Sequence, residues 1–129
     1  MNIVLWILQT FLAVVFAAHG WIYATWSASK LEQQHAKLHP ESEPLGLPPA
    51  FNTFIGMCEL LAAVGLILPG ITGILPWLTP LAAAGLAMVM LGAFVTHLSR
   101  HEMSSAILTM VLVALCVLIA YGRTLIFPL

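Results

Sequence analysis

Apolar residues run along this chain in four long blocks, and the polar interruptions between them differ greatly in length. The blocks cover about residues 3–26, 50–68, 77–98 and 104–121. At 1.5 Å of rise per helical residue, each is long enough to cross a hydrocarbon core of roughly 30 Å. The pattern predicts one domain over residues 1–129: an all-α, integral membrane four-helix bundle.

The interruptions sharpen this picture. Residues 27–49 form the longest polar segment. Within it, SASKLEQQHAKLH carries Leu31 and Leu38 at heptad spacing, which suits a short interfacial helix. Pro40, Pro44, Pro48 and Pro49 then prevent that helix from continuing. Pro69-Gly70 is expected to break the second block, with GITGILP as an uncharged turn, and SRHEM makes a tight polar turn between the third and fourth. Trp21, Tyr23 and Trp26 crowd the far end of the first block, where aromatic rings favour the headgroup region. That block lacks a basic start and exceeds the apolar length of a signal peptide, so it is expected to be retained as a helix. Gly65, Gly85 and Gly92 inside the blocks suit close helix approach in a bilayer.

Composition excludes an ordinary water-soluble domain. Hydrophobic residues make up 61% of the 129 positions and charged residues 7%, where soluble domains carry about a quarter. The mean hydropathy is +1.03. The net charge of −1 gives no reason to expect nucleic acid as a partner; the expected partner is the lipid bilayer. Cys58 and Cys116 fall inside apolar blocks and are expected to behave as small buried residues rather than a disulfide. Four crossings put both termini on one face. Lys30, Lys37 and Arg100 lie on the connection face against Arg123 on the terminal face, so the positive-inside rule favours cytoplasmic connections.

Candidate chemistry centres on Glu59, an ionisable residue near the middle of the second block. Such a group is costly in the membrane and normally faces a partner or a cavity in the bundle interior. The bland reading is a protonated carboxyl acting as interhelical glue. Depth counting brings His19, about 9 Å from the connection face, close to the level of Glu59, at about 13 Å. His97 and Thr96 end the third block on that face, Asn52 and Thr53 begin the second there, and Tyr23 ends the first. The intramembrane polar residues thus gather in one half of the bundle, with the other half almost wholly apolar. Glu59, His19 and His97 are the candidate catalytic residues, and Tyr23, Asn52 and Thr96 the candidate substrate contacts. Two histidines and a carboxylate suit a transition metal or haem, acid/base work on an apolar substrate, or a polar packing network. No metal motif such as H-E-x-x-H is present, so no metal site is assigned, and the cofactor stays open. The pairs His35/His39 and His97/His101 are read as solvated surface histidines.

Several stretches together resemble the DoxX-like family of small four-helix membrane proteins. They are FAAHGWIYA at the end of the first block, FIGMCELLAAVGLILPGITGILPWLTPLAAAGLAMVMLGAFVTHLSRHE through the second and third, and the closing AYGR. The most specific part is Gly56, Glu59 and Leu60, followed by Leu68-Pro69, Thr72-Gly73, Leu75-Pro76 and His97-Leu98 in order. The resemblance matches His19-Gly20 to the family's His-Gly pair, Glu59 to its second-helix acid and His97 to its third-helix histidine. Tyr23 stands where the family commonly has a lysine, and the first loop is long. The family takes its name from a subunit associated with thiosulfate:quinone oxidoreduction, and its fold is similar to that of four-helix sterol isomerases. The resemblance therefore implies a small-molecule- or partner-binding subunit of a redox- or quinone-linked system in the bacterial inner membrane. Two alternatives stand beside it: an isomerase-like enzyme acting on an apolar lipid or terpenoid, and a structural or assembly subunit. Whether the chain is an enzyme, and whether it forms a homo-oligomer, stays open at this point.

Overall fold

The computed structural model describes residues 2–129. Four long apolar helices, α1 (Asn2–Thr25), α3 (Pro49–Thr72), α4 (Leu78–Ser99) and α5 (Met103–Tyr121), are joined by connections of which the first contains a short helix, α2 (Ala28–Leu38). α5 runs on as a π-helical turn over Gly122–Ile126. α1 packs chiefly on α3, α3 on α4 and α4 on α5, while a smaller α1–α5 contact closes the ring. The core is aliphatic and small: Leu12, Phe16, Leu66, Leu86, Cys116 and Ile119 are fully buried, with Ala63, Ala83 and Ala87 between them. Both cysteines are free, Cys116 in the core and Cys58 partly buried.

The outside of the bundle is as apolar as the inside. Ile3, Leu61, Ile71 and Met88 are each about 70% exposed. Exposed apolar surface on this scale has no place in water, and all four long helices have the length and hydropathy of membrane spans. The protein is an integral membrane helical bundle.

α3 runs one turn past Pro69, where a break is expected from the sequence. A proline lacks the N–H that would bond the carbonyl four residues earlier. That orphaned carbonyl, Gly65 O, accepts a hydrogen bond from the Thr79 hydroxyl at 3.1 Å. A hydroxyl on α4 thus substitutes for the missing amide, which is the condition for proline inside a membrane helix. The helix ends instead at Gly73, whose left-handed φ of 69° lets its N–H close back on Pro69 O. Thr79→Val removes the donor without changing shape. It should lower stability by about 0.6–1.7 kcal/mol, read as a lower thermal midpoint in detergent.

The first connection is ordered by a few side chains. Ser27 caps α2 by accepting the Lys30 N–H, and Lys30 lies 4.0 Å above the Trp26 ring. Leu31 and His35 form the buried stripe of α2, while Leu38 points outward. Beyond α2, both oxygens of Glu32 accept the Leu45 N–H, and Arg100 donates to Leu45 O. Residues 39–48 are therefore held down as a strap across the connection face.

Candidate functional site

The site begins with two glycines. A Cβ on Gly20 would lie 2.8 Å from Gly56 O, and one on Gly56 would lie 2.6 Å from Gly20 O and meet the Ala24 backbone nitrogen. Without side chains at these positions, α1 and α3 cross backbone to backbone. The neighbouring residues are brought together as a consequence. His19 precedes Gly20, Glu59 lies three residues after Gly56, and His19 Nδ1 and Glu59 Oε2 share a 2.6 Å hydrogen bond.

The pair is asymmetric. The Glu59 side chain is fully buried and that of His19 is 47% exposed. Glu59 Oε1 is buried and has no hydrogen-bond partner. Tyr23, one turn beyond His19, stacks on its ring with centroids 4.4 Å apart. Asn52, two turns before Glu59 on the same face of α3, is buried with its Oδ1 also unpartnered. Five of the residues singled out in the sequence, His19, Gly20, Tyr23, Gly56 and Glu59, thus meet at the α1–α3 crossing.

His97 and Thr96 are engaged elsewhere. The Thr96 hydroxyl donates to Gly92 O in its own helix. His97 Nδ1 bonds Glu102 Oε2, and His35 Nε2 bonds Glu102 Oε1 at 2.8 Å. A second centre therefore lies where α2 meets the α4–α5 turn: one buried carboxylate between two imidazoles, with His39 bonded to Ser105 beside them. The turn that aims Glu102 inward contains His101 in a left-handed conformation, φ 59°. His35, expected to be solvated, is buried. The i, i+4 pair His35/His39 carried a signal of shared orientation, but nothing in the sequence announced that Glu102, 67 residues away, would meet it. Among the described residues no three His, Cys, Asp or Glu side chains are arranged to hold a metal ion.

Burial pushes the Glu102 carboxyl up. Hydrogen bonds from Ser42, His97 and His35, together with the His35 charge, outweigh it and lower its pKa to about 2. The unfolded chain, with an ordinary carboxyl near 4.5, binds more protons than the folded one in this range, so stability falls as pH falls. The contribution is complete above about 4.5 and disappears toward about 2. In Glu102→Gln, the acid slope of stability between these pH values should flatten, as measured by denaturation in detergent at a series of pH values.

A third polar cluster, not expected from the sequence, occupies the terminal end. Gln9 and Arg123 are both buried there, and Arg123 Nε donates to Gln9 Oε1. That half of the bundle is apolar on its outside but not in its interior. A single glutamine in an apolar block was the available signal, since burying an amide there demands a partner.

No curated protein and no solved structure matched the chain. A family model described as the DoxX-like family matches residues 7–119, which takes in α3, α4, most of α1 and α5, and both histidine–glutamate centres. The chain belongs to the DoxX-like family.

Proposed function

We propose that this protein is a membrane-embedded subunit that binds a lipid-soluble small molecule at the His19–Glu59 pair, and that the molecule is a quinone-type ring. The observation that carries the reading is the asymmetry of the pair. A fully buried glutamate presents one unpartnered oxygen, and the histidine that holds its other oxygen is half open. His19 lies six residues from the end of α1, roughly 9 Å below the helix end, a depth that a ring-headed lipid reaches from the bilayer. A carboxyl and an imidazole offer a proton acceptor and a donor to paired oxygens on such a ring. The Tyr23 ring stacked on His19 holds the imidazole in place. In this reading the protein serves a quinone-linked redox partner in the bacterial cytoplasmic membrane.

The unpartnered Glu59 Oε1 also supports a second reading, proton transfer to and from an apolar lipid or terpenoid, with Glu59 as the acid/base and His19 as its partner. One experiment addresses the first reading directly. The purified protein is titrated with a short-chain ubiquinone, following tryptophan fluorescence. Saturable quenching is expected in the wild type and its loss in His19→Ala. Quenching that is linear and identical in both proteins would contradict the quinone reading.

A further inference from the structure

At the terminal end, α5 widens into the π-helical turn Gly122–Ile126. Such turns occur frequently at functional sites. Here the turn carries Arg123 into the bundle, where it is 3% exposed. Its Nε donates to Gln9 Oε1, and its Nη1 to Asn2 Oδ1 and, at 3.3 Å, to Phe127 O. Gln9 is itself fixed, since its Nε2 donates to Leu66 O at 2.6 Å. The Trp6 ring lies 5.2 Å from the guanidinium carbon. These neighbours orient the guanidinium, yet all of them are neutral. Among the described residues no carboxylate lies within ion-pair distance of Arg123. Its Nη2 is buried and has no partner among these residues.

An arginine stays charged in a protein, and an uncompensated cation in apolar surroundings is costly. Amide oxygens and a carbonyl solvate it in part but leave its charge in place. We propose that Arg123 anchors an oxyanion site on the terminal face that takes a phosphate group. Asn2 is exposed, whereas Gln9 is buried and held from its other side. The Asn2 amide is therefore the group that an incoming anion displaces. Its departure leaves Nη1 beside the unpartnered Nη2, two parallel donors matched to two oxygens of one phosphate. Exposed Ile3 and Leu125 on the outside of the same helix ends suit the acyl chains of a phospholipid. The phosphate chemistry is shared by a lipid headgroup and a free ion, and the experiment separates them.

The full chain in a neutral detergent is titrated with phosphatidylglycerol and, separately, with inorganic phosphate. Thermal midpoint and lipid retained in native mass spectra are the readouts. Phosphatidylglycerol is expected to raise the midpoint of the wild type and to bind about tenfold or more tightly than it does to Arg123→Gln. A shift with phosphatidylglycerol alone identifies a lipid site, and a shift with phosphate as well identifies a site for the oxyanion itself. No shift with either ligand, or equal shifts in wild type and Arg123→Gln, would overturn the proposal. Should Arg123→Gln fail to fold, Arg123→Lys keeps the charge and loses the fork. About tenfold weaker binding is then expected, and unchanged affinity would overturn it.

Discussion

Gly56→Ala should lower the stability of the bundle by about 2–3 kcal/mol, the upper part of the range for overpacking a close contact. The added methyl group would meet Gly20 O, Ala24 N and the Tyr23 carbonyl carbon, all backbone atoms of α1, so no side chain can swing away to make room. Alanine's better helix propensity returns only about 1 kcal/mol and does not change the sign. Relief requires α1 to move away from α3, which lengthens the His19–Glu59 bond as well. The variant should therefore show a lower thermal midpoint in detergent together with loss of saturable quinone quenching. Gly92→Ala is the matched control: a Cβ there meets nothing within 4 Å, so the same substitution should be neutral or slightly stabilising. Equal behaviour of the two variants would remove the crossing from its place at the base of the site.

Glu59→Gln should abolish binding of the reduced, hydroquinone form of the ring while leaving the fold nearly intact. The amide keeps the size of the carboxyl and can still share a hydrogen bond with His19 Nδ1. The change in stability should stay within about 0.6–1.7 kcal/mol, the range for interhelical hydrogen bonds in membranes. What the variant loses is the acceptor at Oε1: an amide NH2 in its place can donate to a ring carbonyl but cannot accept from a ring hydroxyl. Glu59→Leu removes the hydrogen bond as well and leaves His19 without its partner, so it should destabilise further. The pair of variants separates the functional readings from a structural one. If Glu59 serves only to hold α1 to α3, the glutamine variant keeps every activity of the wild type. If Glu59 is an acid/base on an apolar substrate, turnover disappears in the glutamine variant while substrate binding persists. In the quinone reading, binding of the hydroquinone is itself lost.

These expectations rest on features of unequal legibility. Four membrane helices could be read from block length and composition, because a backbone in hydrocarbon must satisfy its hydrogen bonds within itself and the helix does so locally. Their approximate limits followed from the same rule. The end of α3 did not, since proline is a local signal while its tolerance here depends on the Thr79 hydroxyl of another helix. Glu59 stood out because an acid in an apolar block is rare and costly. His19 could be matched to it by depth, as both distances are counted along helices that start or end at one face. His97, two residues from the end of α4 and so about 3 Å below that face, shares their half of the bundle, yet its ring bonds Glu102. Depth measures position along the membrane normal and says nothing of the direction in which a helix turns its side chains.

Composition and periodicity thus determined the membrane, the helices and the level of the buried acid, because each depends on the chain's local chemistry against a fixed bilayer thickness. Tertiary packing decided which partners meet. The Gly20–Gly56 crossing sets His19 against Glu59, the left-handed turn at His101 aims Glu102 between His35 and His97, and the π-helical turn carries Arg123 onto Gln9. Each of these depends on helix rotation and on contacts between residues far apart in the chain, and helices apolar all round leave that rotation unspecified.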